Sequence, residues 1–565
     1  MKNSRKNMLV LLGLAALTGS LASCNGGGGG TNSTITTVNI LLFNGTSGRD
    51  WLNQSTKRFA EANKETSFED GKTGITFKIQ QAKGVAWNSE IKSTGNDIMI
   101  YEYNPDIFQL SAQGYLLDLD DIVRPKEASI ESGVLERLKG PDGKYYALPH
   151  YEWFPGVSYD KDLFNEKNFY FADPSVDAED VEVANTPYGT GRFIADKNIQ
   201  KSVGPNGIRG DYDDGLPSSL EEFNILCHKL YSDGVSPILL CGSGQYYSWK
   251  FPLALWASLT GPEGMRNTSC EWSNAELDMV TGWKDDELFA KGSGLKTPVT
   301  EKVVLNEENG YKMYDMANRY YSLAFMEMAI DNKWLDPEAL ADSNQSPTAA
   351  MNWFINGHNN KRYGMYWDGS YWCHEAADVG TFETYRQMNP TNPDRHTAFM
   401  PLPTQLTGQV TEGKGKKPAL VNTGSTLTFA NARVKTNGKE KAVKAFLNFL
   451  YSNEELSAFS ELTGLTAPID YTWDRSKLNN TYYDDLATLR AAGEVIQPSS
   501  TSERYKKNLM SFVFGYSMTI SSFRMPNGVQ NAGGYLDAFT KYNCTSDYIF
   551  DNTRFSKSVW DSMSK

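Results

Sequence analysis

Strand-type and helix-type periodicities alternate from the start of the folded body, and this alternation limits the fold more than any other feature of the chain. Thr37-Val38-Asn39-Ile40-Leu41-Leu42-Phe43 is a run of the buried-strand kind. A polar loop, Asn44-Gly45-Thr46-Ser47-Gly48, follows it. Trp51, Ser55 and Phe59 then recur at four-residue spacing, one face of a helix. Ile75, Phe77 and Ile79 alternate as a second strand, and Ile98-Met99-Ile100 is a third. Alternation of this kind builds an α/β sheet with parallel neighbours. Ligands of such sheets bind beyond the C-terminal ends of the strands. The turns at Asn44 and at Glu102-Tyr103-Asn104-Pro105 both follow strand ends.

At 565 residues the chain is too long for one small core, so two or more lobes are expected. The first 35 residues do not belong to them. Lys2, Arg5 and Lys6 precede a short apolar run, Met8 to Leu17, as in a secretory signal. That run is too short for a spanning helix, which takes about 20 apolar residues. Leu21-Ala22-Ser23-Cys24 resembles the bacterial lipobox, in which the cysteine becomes the lipidated first residue. Gly26 to Gly30 and the polar residues after them read as a flexible tether. The chain is therefore expected on the extracytoplasmic face of a bacterial cell membrane, anchored by lipid on Cys24.

A net charge of -13 without a basic run argues against nucleic acid as a partner. Beyond Cys24, five cysteines at irregular spacings make neither a disulfide framework nor a zinc site, and one or two bridges stay open. Five histidines include no ligand-like pair, so no transition metal or other cofactor is expected. The 13 Trp and 30 Tyr matter more, because their flat apolar faces and polar edges suit sugars as well as protein cores.

Several motifs stand in a definite order. Tyr146-Ala147-Leu148-Pro149 precedes Val157-Ser158-Tyr159-Asp160-Lys161-Asp162-Leu163-Phe164. Leu216-Pro217-Ser218-Ser219-Leu220-Glu221-Glu222-Phe223 follows, with Ser218 and Glu221 spaced as a capping box. Then come Gly364-Met365-Tyr366-Trp367-Asp368-Gly369-Ser370-Tyr371-Trp372 and Lys441 to Leu450, whose Ala442, Val443, Phe446 and Leu450 form a helical stripe. Thr463-Gly464-Leu465-Thr466-Ala467-Pro468 closes the series. Together they resemble bacterial extracellular solute-binding proteins of the maltodextrin-binding type, family 1. In that family the last turn has Ala and Pro in the other order.

The resemblance implies a two-lobed, periplasmic-binding-protein-like α/β fold with a hinge and a central ligand cleft. It implies a first lobe of 36–152 plus 422–475 and a second of 153–421 plus 476–565. The chain would cross near Glu152 to Pro155 and return near Val421 to Ser425. The chain exceeds the family pattern near 168–214 and 263–304, which read as insertions; the first is expected to be dispensable for lobe folding. The implied function is capture of an oligosaccharide by a monomer, without catalysis, and delivery to an ABC transporter permease.

The ligand-binding candidates carried over from the family are Asn44 and Arg49 after the first strand, and Glu102, Tyr103 and Asn104 after the third. Glu152 and Trp153 stand at the crossover. Trp367, Asp368, Tyr371 and Trp372 lie on the second-lobe turn, and Gly424 and Ser425 on the return. Gln245, Tyr246 and Trp249, in a polar aromatic stretch at a strand end, join them. Trp153 and Trp367 fit a core as well as they fit a ligand platform; Tyr371 or Trp372 matches the stacking aromatic better.

Two rival functions remain. A surface glycoside hydrolase would need two carboxylates about 5 to 9.5 Å apart, drawn from Glu102, Glu152 and Asp368. An oligopeptide-binding lipoprotein would suit the length. The Asp-rich stretch Asn206 to Gly215 has the donors for calcium but not the EF-hand spacing, and a solvated turn leading into the next helix is expected.

Overall fold

Two separate β-sheets, each flanked by helices, divide the molecule into two lobes. The computed structural model describes residues 34–563 apart from 44, 83–90, 93–94, 102–104, 242–246, 270, 343–344, 408–416, 423–425, 479, 498–501, 503, 505–507 and 509–534. In the first sheet β1 (Thr36–Leu42) lies between β2 (Ile75–Gln81) and β3 (Ile98–Tyr101), parallel to both. The sheet continues through β14 (Leu427–Ala430) to β4 (Ala147–Pro149), and β14 runs antiparallel to both its neighbours. The sheet is therefore mixed, where alternation alone pointed to a parallel one. β14 enters from the other lobe and so approaches from the opposite end.

Burial follows the stripes. Helix Asp50–Ala62 buries Trp51, Leu52, Ser55, Thr56 and Phe59 against this sheet. Helix Glu440–Leu450 buries Ala442, Val443, Phe446, Leu447 and Leu450. Phe446 meets Phe59 at 5.3 Å and Phe77 at 4.5 Å between ring centroids.

The second sheet has the order β12 (Thr397–Phe399), β5 (Pro155–Asp160), β11 (Tyr363–Gly369), β8 (Ser236–Leu240). Residues 150–154 thus carry the chain from β4 to β5. They run beside the other lobe-to-lobe connections: His150 N–H donates to Thr426 O at 3.1 Å and Glu152 N–H to Thr466 O at 2.8 Å. The return from β12 to β14 passes through β13 (Ala419–Val421), which pairs in parallel with β15 (Glu494–Ile496).

Two expectations are corrected here. The 168–214 segment is not an appendage. It forms the hairpin β6 (Val181–Thr186) and β7 (Gly189–Ile194), and Phe169, Phe171, Phe193 and Ile194 are all buried. Phe171 and Phe193 stack at 4.6 Å, and Tyr188 meets Trp334 at 5.0 Å. The segment supplies one wall of the second-lobe core, so its loss would expose helix Leu220–Ser232. That helix is also capped one residue later than expected. Ser219 Oγ accepts from Glu222 N–H at 3.1 Å, while Glu222 Oε2 accepts from Ser218 N–H at 2.7 Å. Ser218-x-x-Glu221 and Ser219-x-x-Glu222 both satisfy the motif, and packing of Leu220 and Phe223, both buried, selects the second.

The other added segment forms the hairpin β9 (Glu276–Glu287) and β10 (Lys296–Val304). It buries Met279 and Val280 and leaves its far end exposed. Among the described residues no helix is long and apolar enough to cross a membrane.

Candidate functional site

β8 and β11 run parallel, and the chain beyond their C-terminal ends brings six side chains together. β8 leads to Tyr247 and to Trp249, which stands just before helix Lys250–Arg266. β11 ends with Asp368 and Gly369 and leads to Tyr371. The crossover adds Trp153. At the centre is Lys250, whose ammonium forms an ion pair with Asp368 and donates to Tyr371 OH. Both charged side chains are 1% exposed.

Asp368 also accepts from Tyr366 OH at 2.9 Å and from Gly369 N–H at 2.7 Å. Lys250 Nζ lies 4.1 Å from the Tyr247 ring centroid, 4.6 Å from Tyr371 and 5.3 Å from Trp153. Burial lowers the lysine's proton affinity, and Asp368 opposes that. A dry ion pair is tolerable only with its other bonding capacity met. Here the hydroxyls, a backbone amide and the aromatic faces meet it.

The rings meet at steep angles. Trp153 meets Tyr371 edge-on at 5.2 Å and Trp249 at 6.2 Å. A Cβ at Gly369 would stand 2.5 Å from the Tyr371 ring and 2.8 Å from that of Trp153, so only glycine lets the two close over it. Trp153 and Tyr371 keep 8% and 7% exposure, whereas Tyr247 and Trp249 are half-buried. First-lobe residues reach the same side of the second lobe. A Cβ at Gly48 would stand 3.7 Å from Asp378 and 3.8 Å from His374, on helix Trp372–Asp378.

Two of the sequence candidates are core residues. Trp367 is fully buried, packs on Phe251 at 4.9 Å and donates from Nε1 to Tyr247 O at 3.2 Å. Trp372 is fully buried too; its Nε1 donates to Ser158 Oγ at 2.7 Å, and Tyr366 and Tyr482 meet it edge-on. Neither has a face left for a ligand. Asp368 is spent on Lys250. Arg49 is exposed and donates to Ile79 O at 3.2 Å, which ties it to the end of β2.

Glu152 faces away from Trp153, as successive residues of an extended chain do. It pairs with Arg490, which also pairs with Glu131. These groups line a cavity of about 290 Å³ together with Tyr471, Trp473 and Tyr483. Burial raises the Glu152 carboxyl to about 7 against the pull of Arg490. The same pairing raises Arg490, so the guanidinium gains from a contact that does not fully repay the carboxylate's desolvation. Asn44, Glu102, Tyr103, Asn104, Gln245, Tyr246, Gly424, Ser425 and Cys24 lie outside the described residues.

Lys250, Arg490 and Glu131 were not among the candidates, whereas Tyr247 lies within the polar aromatic stretch that was. Lys250 had a signal: it is one charge at the head of the apolar run Phe251-Pro252-Leu253-Ala254-Leu255-Trp256. A lone cation there must be paired or exposed.

The sequence profile of the bacterial extracellular solute-binding protein family matches residues 49–252. No curated protein matches the chain by sequence. Among solved structures, the chain is similar to a chitin oligosaccharide binding protein, with 14% identity, a TM-score of 0.50 and coverage of 94% of this chain and 99% of that one. It is also similar to SBP RafE in complex with raffinose, with 13% identity, a TM-score of 0.52 and coverage of 92% and 99%. At these identities the likeness is one of fold: two α/β lobes. Over residues 49–252, where the profile matches, the chain is similar to the bacterial extracellular solute-binding proteins.

Proposed function

We propose that this chain is a lipid-anchored binding protein that holds an oligosaccharide between its lobes and delivers it to an ABC permease without cleaving it. In this reading the first lobe is 36–152 plus 422–475 and the second is 153–421 plus 476–565, with Cys24 carrying the lipid. The observation that supports it best is the aromatic cluster of Trp153, Tyr247, Trp249 and Tyr371 at the C-terminal edge of the second sheet. Flat rings with polar edges, set beside a fixed charge pair, suit the C–H faces and hydroxyls of a sugar. Two similar folds, named for a chitin oligosaccharide and for raffinose, give the same direction.

Against hydrolysis, Asp368 is held by Lys250 in a buried ion pair, and Glu152 is paired with Arg490 away from the aromatic cluster. A hydrolase needs one carboxyl free to protonate the leaving group and another facing it across the bond.

The test is thermal unfolding with mono-, di- and oligosaccharides and with oligopeptides, since a ligand of the native state raises the midpoint by mass action. An oligosaccharide is expected to raise it, and no new reducing ends are expected after incubation. A rise with peptides alone would replace the sugar reading. Release of reducing ends would make the protein an enzyme.

A further inference from the structure

The Asp-rich stretch before helix Leu220–Ser232 is a turn, exposed at Ile208, Arg209 and Gly210, but it closes over part of its carboxylate cluster. Asp211, Asp213 and Asp214 each place a carboxylate oxygen within 4.8 Å of the other two. Asp213 is fully buried. Its Oδ2 accepts from Asn206 N–H at 3.0 Å, but its Oδ1 is buried with no hydrogen-bond donor. Asp214 repeats the pattern: Oδ2 accepts from Gly210 N–H at 2.8 Å, and Oδ1 is buried without a donor. The Asp211 carboxylate accepts from Asn206 Nδ2 at 2.7 Å and from Asp213 N–H at 3.3 Å.

Two cations stand near the cluster and act on Asp214 through space, but neither bonds its Oδ1. Arg209 pairs with Asp173, and Lys201 Nζ stands 3.2 Å from the Tyr170 ring centroid. Two orphaned carboxylate oxygens in one buried cluster are costly unless something positive serves them. A single proton can join Asp213 to Asp211, whose carboxylate oxygens lie within 4.8 Å of each other. That leaves Asp214 Oδ1 unserved. One hard cation serves both orphans and Asp211 together. Three clustered carboxylates are calcium's kind of ligand; magnesium keeps most of its own waters.

We propose that Asp211, Asp213 and Asp214 are the carboxylate core of a calcium-class divalent cation site that fastens the 202–215 loop to the second lobe. The loop is already tied there by backbone. Phe171 N–H donates to Gly215 O at 2.8 Å, Ser202 N–H to Phe171 O at 2.8 Å, and Leu216 N–H to Asp213 O at 3.0 Å. A cation would add a charged clasp to the strip that runs into the helix Leu220–Ser232. The site is independent of the sugar reading and stands or falls without it.

The full chain, stripped with EGTA, is titrated with calcium and, separately, with magnesium. Calcium is expected to raise the unfolding midpoint by about 2 to 4 °C, and magnesium by less. Terbium gives a second readout, because Tyr212 between two of the ligands can sensitise its emission, and calcium should displace it. Asp211→Asn and Asp214→Asn, both at half-buried positions, should each weaken calcium by about tenfold or more. Asp173→Asn, outside the cluster, should leave calcium affinity unchanged. No calcium-dependent shift and no sensitised terbium in the wild type would overturn the site. So would a calcium response that survives Asp211→Asn, Asp213→Asn and Asp214→Asn alike. A wild type blind to calcium, with Asp213→Asn more stable than it, would assign the cluster to a shared proton.

Discussion

Two ion pairs, each with a buried carboxylate, flank the crossover at residues 150–154, and they differ in what surrounds the cation. On the Trp153 side, Lys250 and Asp368 are both 1% exposed and walled by rings. On the Glu152 side, the Glu152 side chain is fully buried, but Arg490 is 35% exposed and opens on a cavity. Among the described residues, the groups that meet Lys250 are Asp368, Tyr371, Tyr247 and Trp153, on or beside the second sheet. Arg490, on helix Tyr482–Ala492, bridges the crossover and Glu131, which precedes β4 of the first sheet. One pair therefore sets the shape of a single lobe's edge, while the other spans the junction. The same chemistry serves rigidity in a dry site and connection in a wet one.

The largest expected effect breaks the dry pair. Lys250→Ala leaves Asp368 buried and unpaired, which should cost about 3 to 5 kcal/mol of stability. Urea denaturation measures it. Lys250→Met combined with Asp368→Asn, with no charge left, should recover most of that loss. If the single variant unfolds like the wild type, the cluster is wetter than its burial implies, and the contrast with Arg490 disappears.

The wet pair should show itself through pH. The Glu152 carboxyl is raised in the folded state, to about 7 from 4.5. Between those values the native state holds more protons than the unfolded chain. Stability attributable to Glu152 is thus present at the acid end and falls as pH rises through about 7, by up to about 3 kcal/mol. Glu152→Gln should flatten that part of the stability–pH curve. A wild-type curve with no fall over pH 5 to 7, or one that Glu152→Gln leaves unchanged there, would mean that the Glu152 carboxyl is not raised by burial.

Much of the framework was legible in the sequence, and for a reason. β1, β2, helix Asp50–Ala62 and helix Glu440–Leu450 pack one face each, or follow a clean run, so burial appears as periodicity. The ordered motifs carried the two-lobed architecture. The site was harder to read, because β11 is buried at all seven positions from Tyr363 to Gly369. With no exposed face there is no alternation to separate a core tryptophan such as Trp367 from a ligand platform. Trp372 failed likewise: it heads a short helix whose inward face is set by Ser158 and Tyr482, more than 100 residues away in either direction. The wall built by Phe171 and Phe193 read as an insertion because its partner, helix Leu220–Ser232, comes later in the chain. Lys250 was missed because a lone lysine does not announce its carboxylate across 118 residues.

The smallest expected effect on stability separates packing from recognition within the aromatic cluster. Trp153 is 8% exposed and touches Lys250, Trp249 and Tyr371, so Trp153→Ala should cost about 3 to 5 kcal/mol before any ligand is added. Trp249 is half-buried, stands just outside helix Lys250–Arg266 and meets Trp153 at a tilt, 6.2 Å between ring centroids. Trp249→Ala should move the ligand-free midpoint little, on the order of 1 kcal/mol or less, as exposed surface is given up rather than a filled core. If the ring is a sugar platform, affinity for the oligosaccharide found in the screen should fall by about 1 to 3 kcal/mol, the range measured for bases stacked on aromatic side chains. Calorimetric titration beside a ligand-free melt gives both numbers from one preparation. Loss of affinity without loss of stability places recognition on the half-buried ring and support on the buried one. Equal losses in both would make Trp249 one more wall of the Lys250 cage and move the ligand platform elsewhere on the cleft.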